Sequence, residues 1–234
     1  MRLNSPKCSV LRIFLVFTYA MLLAGCSILQ TSQVENHRLY LLDSDPSVKT
    51  AYSKRDAVLA VSMPRARPGF DTPRMAYLRQ PHELEYFAVN QWVDAPSRML
   101  GPLLAQTLDQ TGSFRAIVLN PSLVSVDLRL DTELVRLQQD FGTKPSRVRF
   151  TLRAQLIDVA GKRVIAARVF DETANAIQDD AYGGVIAANQ AVQGVLIQLA
   201  EFCISESGRR WSGELHPQGI NGVPMRHKNG GEMK

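Results

Sequence analysis

The stretch from Val124 to Phe170 reads VSVDLRLDTELVRLQQDFGTKPSRVRFTLRAQLIDVAGKRVIAARVF, and much of it alternates with a period of two. Val124, Val126, Leu128 and Leu130 are interleaved with Ser125, Asp127, Arg129 and Asp131. After a loop from Gly142 to Pro145, Val148, Phe150, Leu152, Ala154 and Leu156 are interleaved with Arg147, Arg149, Thr151, Arg153 and Gln155. Successive side chains of a strand point to opposite faces, so this pattern predicts strands packed on one face and wet on the other. If the first two pair antiparallel, acids of one lie opposite arginines of the other. Ala160-Gly161 turns the chain into a third strand, Arg163 to Phe170.

Working outward, helical spacing follows the strands. Val185, Ala188, Val192, Val195, Leu196, Leu199, Phe202 and Cys203 form one stripe, predicting a helix over about Ala181 to Ser205 capped by Asp179 or Asp180. Upstream, Met99, Leu100, Leu103, Leu104 and Leu108 predict a second helix, with Asp94 as N-cap, Pro96 in the first turn and Gly112 at the stop. Pro102 either kinks that helix or moves its regular part to near Gly101. Short apolar runs at Arg38–Leu42, Ala57–Met63, Met75–Leu78 and Glu83–Val89 read as further strands. The expected fold class is α+β: a mostly antiparallel or mixed sheet packed by two main helices, in a single domain over 37–206. The tail, 207–234, is rich in glycine, proline and charge and is expected to be disordered.

The amino terminus carries a different signal. Arg2, Lys7 and Arg12 precede an apolar run from Ile13 to Leu23, and Leu23-Ala24-Gly25-Cys26 follows. A positive start, a short apolar core and small residues before a cleavage point make a secretory signal, too short to span a membrane. The four-residue end marks a lipoprotein signal: residues 1–25 are removed, and Cys26 takes a diacylglyceryl group on sulfur and an acyl chain such as palmitate on its new amine. More than one chain is needed for stable anchoring. Ser27 stands where an aspartate commonly retains lipoproteins in the inner membrane, so the expected location is the periplasmic face of the outer membrane of a Gram-negative bacterium. Residues 26–36 are a polar tether.

Composition narrows the function. The chain has 27 Lys+Arg against 22 Asp+Glu, and losing the signal leaves 24 against 22. That balance argues against nucleic-acid binding, which needs a concentrated basic face. Cys203 remains as a lone thiol on an apolar helical stripe, where free cysteine behaves as a small hydrophobe. His82-Glu83-Leu84-Glu85-Tyr86 approaches the His-Glu-x-x-His zinc motif, but Tyr86 replaces the second histidine and the segment reads as strand rather than helix. Gly161-Lys162 lacks the rest of a phosphate-binding loop, and no Gly-x-Ser-x-Gly elbow occurs. No catalytic residue, metal site or dissociable cofactor is assigned, and the chain is not expected to be an enzyme.

Met75-Ala-Tyr-Leu-Arg79, the Glu83–Val89 run, Trp92 and the helix closing on Thr111-Gly112-Ser113-Phe114 closely resemble the ABC-type transport auxiliary lipoprotein (PqiC-like) family. Tyr40-Leu41-Leu42 and Asp127-Leu-Arg-Leu130 are similar too, so the resemblance covers about residues 37–206. It implies an accessory component of an ABC system that moves lipids or other hydrophobic molecules across the envelope. The implied partners are an MCE-domain periplasmic protein with its permease and ATPase, and a homo-oligomer is compatible. Tyr77, Leu78 and Trp92 are candidates for a partner surface, with core packing as their alternative role. A structural lipoprotein that binds the cell wall or another envelope assembly without transport, with a TolB amino-terminal-like fold, is the alternative function. A periplasmic hydrolase would require a pocket of perturbed titratable groups.

Overall fold

A computed structural model of the chain describes residues 36–44, 54–119 and 125–211. The signal peptide, Cys26, the tether before Asn36 and the tail after Trp211 lie outside the described residues. In chain order the elements are β1 (Arg38–Tyr40), β2 (Val58–Val61), β3 (Arg65–Ala66), β4 (Arg74–Leu78), β5 (Glu85–Trp92), α1 (Pro96–Gln110), β6 (Ala116–Leu119), β7 (Leu128–Asp140), β8 (Arg147–Asp158), β9 (Arg163–Asn175) and α2 (Ala181–Trp211).

Among the described residues, nine strands form one mixed sheet around β7. One edge of β7 pairs antiparallel with β8 from Leu128↔Asp158 to Asp140↔Arg147, and β8 pairs antiparallel with β9. The other edge takes three short parallel partners in succession. These are β2 at Leu128–Leu130, β3 at Glu133–Leu134 and β4 at Gln138–Asp140. Beyond them β6 pairs parallel with β2, β5 pairs antiparallel with β4, and β1 pairs parallel with β5. The α+β class with a mixed sheet and two helices is therefore observed.

The alternating pattern does what its period requires. Leu128, Leu130 and Leu134 of β7, and Phe150, Leu152, Ala154 and Leu156 of β8, are fully buried. They meet the stripe of α2, where Val192, Val195, Leu196, Leu199 and Cys203 are equally inaccessible. Burial pushes the Cys203 thiol pKa up, away from the reactive thiolate. The opposite sheet face carries the cross-strand charges: Glu133 lies opposite Arg153 at 4.0 Å and Asp140 opposite Arg147 at 3.2 Å.

Several element ends differ from the sequence expectation. Strand β7 continues to Asp140 through a β-bulge between Leu134 and Arg136. Strands β3 and β6 go unforeseen because two and four residues are too few to show a period. The residue in the N-cap position of α1 is Ala95, not Asp94. Ala95 is extended (ψ 132°), which sets Asp94 one residue outside the helix, where it accepts from the Ala95 amide at 2.7 Å and pairs with Arg98. Helix α1 runs unbroken from Pro96 to Gln110 with Pro102 inside it on the exposed side, one turn after exposed Arg98, whose carbonyl loses its helical donor. At its end Gly112 adopts φ +62°, the left-handed conformation that stops a helix. Helix α2 extends to Trp211, past the expected start of the tail at 207. Ser207 is fully buried, and a side chain at Gly208 would press on Arg55, so packing carries the helix onward.

The two candidate caps of α2 divide the work. Asp180 accepts from the Gly183 amide at 2.7 Å, and Asp179 accepts from the Ser146 amide at 2.6 Å across the β7–β8 turn. Buried Gln139 completes the junction, its Nε2 donating to Ser146 Oγ at 2.9 Å and to the Asp180 carbonyl at 3.1 Å. A Cβ at Gly184 would collide with Gln139 Oε1. Gly184→Ala is expected to lower stability by about 1–3 kcal/mol, the usual cost of overpacking, as read from urea unfolding. In a Gln139→Ala background the same change should cost less, and an equal cost would mean that the collision is not the cause.

Candidate functional site

Two open grooves are lined in part by the β4–β5 hairpin of the sheet and the segment before it. Tyr77 begins the first. As part of β4 it faces Phe87 of β5 with ring centroids 4.6 Å apart, and Phe141, just beyond β7, closes the trio at 5.7 Å from Tyr77 and 6.3 Å from Phe87. The Tyr77 hydroxyl donates to Glu85 Oε2 at 2.8 Å and accepts from Arg79 at 3.3 Å. The Glu85 hydrogen bond, followed by burial, raises the Tyr77 pKa, so the phenol stays protonated as a donor. The trio floors a groove of about 830 Å³ that reaches Tyr86, Val89 and Asn90 on one side and Asp179 and Asp180 on the other.

The second groove, of about 520 Å³, lies over the bulge of β7. A bulge places two residues against one and re-aims the side chains. Here Val135 and Arg136 both line the groove, between the parallel partners β3 and β4. Arg67, Arg147 and Arg149 join them, with Phe70, Leu78 and Leu84 as apolar wall. The loop wall is fixed at Gly69, where φ is +91° and the carbonyl accepts from the Tyr86 hydroxyl at 2.9 Å. Arg149 is bound by Asp171, which also accepts from Thr151 Oγ1 at 2.7 Å. The Arg149 hydrogen bond pulls the Asp171 carboxyl down to about 2.

Between the sheet and α2 lies a small cavity of about 10 Å³ lined by Met75, Trp92, Leu137, Val148 and Ala188. Buried Gln139 Oε1 borders it without a protein partner, and its volume is that of about one water. The sequence candidates therefore separate. Trp92, 4% exposed, belongs to the core beside this cavity and presents no surface, because β1 and β5 carry it inward. Tyr77 is buried but edges the first groove, and Leu78 edges the second. Cys26 lies outside the described residues. His82 sits in the turn between β4 and β5 with φ +69°, not in a strand, so its approach to a zinc motif has no helical frame. Among the described residues no three His, Cys, Asp or Glu side chains gather as metal ligands, and no helix is long and apolar enough to cross a membrane.

Phe141, Phe87 and Arg136 were not singled out by sequence. The bulge did leave a trace: the buried series Leu128, Leu130, Thr132, Leu134 resumes at Leu137 and Gln139, one residue out of phase.

A family model for the ABC-type transport auxiliary lipoprotein component matches residues 40–200. The chain belongs to this family. The match runs from the last residue of β1 into α2 and so contains both grooves. No curated protein matches the auxiliary lipoprotein. Among solved structures, protein XCC0632 from Xanthomonas campestris, of family DUF330, is 20% identical with a TM-score of 0.69, covering 75% of this chain and 99% of that one. A second, described only as an uncharacterized protein, is 14% identical with a TM-score of 0.58, covering 72% of this chain and 99% of that one. At these identities the likeness concerns the fold.

The Arg149–Asp171 pair has a definite pH signature. Because Asp171 is held below its usual 3.8, it adds stability above pH 3.8, and this is lost as the pH falls toward 2. The pair is substantially exposed, so Asp171→Asn is expected to cost up to about 1 kcal/mol at pH 7. Unfolding of the two proteins should converge as the pH approaches 2. A constant gap across that range would show that the charge is not responsible.

Proposed function

We propose that this auxiliary lipoprotein sits on the periplasmic face of the outer membrane, held by lipid on Cys26, and serves as an accessory subunit of an ABC system that moves lipids or other hydrophobic molecules. An inner-membrane permease and ATPase use the energy, an MCE-domain protein bridges the periplasm, and this subunit docks that bridge without catalysing a reaction. The family match across residues 40–200 carries the reading. Two features of the body support it. The first groove combines an aromatic floor of Tyr77, Phe87 and Phe141 with polar rims, the mixture found where proteins meet partners. Its walls also rest on the sheet and the start of α2, which preorganises them for docking.

The test is affinity purification of the tagged full chain from detergent-solubilised envelopes. An MCE-domain protein with its permease and ATPase should co-purify, and Phe141→Asp, at the groove floor, should reduce their recovery. Recovery of peptidoglycan-associated proteins alone would replace transport with the structural role. Cys26→Ala should abolish acylation, read from the mass of the chain, and release the protein from the outer-membrane fraction.

A further inference from the structure

The second groove differs in its chemistry from the first. Arg67, Arg136, Arg147 and Arg149 converge on one side of the sheet. The side chains of Arg67, Arg147 and Arg149 keep 46%, 47% and 49% of their surface exposed. Their carboxylate neighbours are Glu133, Asp140 and Asp171, and Glu133 is shared with Arg153. Arg136 takes part in none of these ion pairs and is felt by Asp171 only through space. The face therefore keeps positive charge after its internal pairing. It is also amphipathic: Phe70 and Leu84 stand in the groove wall, and Val164 and Val169 of β9 are each 53% exposed on the same sheet face.

Guanidinium groups donate in a planar fork that matches phosphate oxygens, and their weak hydration suits a site with apolar walls. The chain also restricts what this face meets. About ten tether residues separate Cys26 from His37, a reach of roughly 35 Å at full extension, so an anchored body stays beside phospholipid headgroups. We infer that the arginine groove over the β7 bulge is the surface that the tethered body lays against anionic phospholipids, the guanidinium groups holding headgroup phosphates while Phe70 and Leu84 meet the glycerol region. The inference rests on the lipid-anchor reading of Cys26 and is independent of the transport partners. An acidic protein segment is the competing occupant. It is less favoured because the tether supplies headgroups continuously at short range.

The compact unit begins at His37, so the chain from Ser27 to Lys234 retains all of it without the anchor. This protein is expected to float with phosphatidylglycerol vesicles and not with phosphatidylcholine vesicles, and to be released by salt. Arg136→Ala should weaken binding about fivefold, the effect of one arginine at an anionic surface, while Arg136→Lys retains most of it. Arg168, which lies over the Phe170 ring on the helix side of the sheet, is the control, and Arg168→Ala should bind as the parent does. Equal loss in the two alanine variants would reduce the effect to net charge and overturn the assignment. So would equal binding to both lipids, or none to phosphatidylglycerol. If Arg136→Ala left flotation untouched but removed co-purifying proteins, the groove would belong to an acidic protein segment instead. Because flotation needs no partner and co-purification needs no vesicle, failure of one leaves the other standing.

Discussion

The structure depends on the hydrogen-bond ladder along β7. Twelve of its 13 residues, all but the bulged Val135, pair along one edge with β8, and the other edge takes three short parallel strands. Short strands such as β3 and β4 carry too few contacts to stand alone, since an isolated pair is marginal in water. They are held because β7 offers them a rigid edge already fixed by β8. Loss of register in β7 would turn every buried leucine toward solvent, so the packed face defines the ladder as firmly as the ladder defines the face.

Helix α2 is tied to this frame at its first turn as well as along its stripe. Gln139, Ser146, Asp179 and Asp180 form one hydrogen-bonded junction between the end of β7, the start of β8 and the helix. Farther along, Asn189 accepts from the Asp43 amide at 2.7 Å and donates to the Leu41 carbonyl at 3.2 Å, so the segment that follows β1 is held on the same helix. The β4–β5 hairpin pairs with β7 through β4 and with β1 through β5, and β1 leads into the segment held on α2.

The grooves also show how one strand serves two chemistries. On the helix side β7 is leucine-rich and dry. On the other it carries Arg129, Asp131, Glu133 and Arg136, and the bulge gathers the apolar Val135 into the same opening as Arg136. Exposed ion pairs of this kind contribute little to stability. Their more definite consequence is the electrostatic character of the face.

Much of this architecture is legible in the residues. The alternation of β7 and β8 and the stripe of α2 name the core almost residue by residue, because burial on one face imposes a period that neighbours in sequence record directly. The motif around Cys26 and the order of short motifs from Tyr77 to Phe114 likewise belong to the chain as written. What only the tertiary structure decided is non-local: that β2, β3 and β4 share one edge of β7, that Trp92 faces inward while Tyr77 edges an opening, and that Phe141 joins Phe87 and Tyr77. Arg67 and Arg149 lie far apart in sequence and meet only because β3, β4 and β8 converge around β7. Strand pairing is set by contacts distant along the chain, which no local period encodes, so the grooves exist only once the sheet has formed.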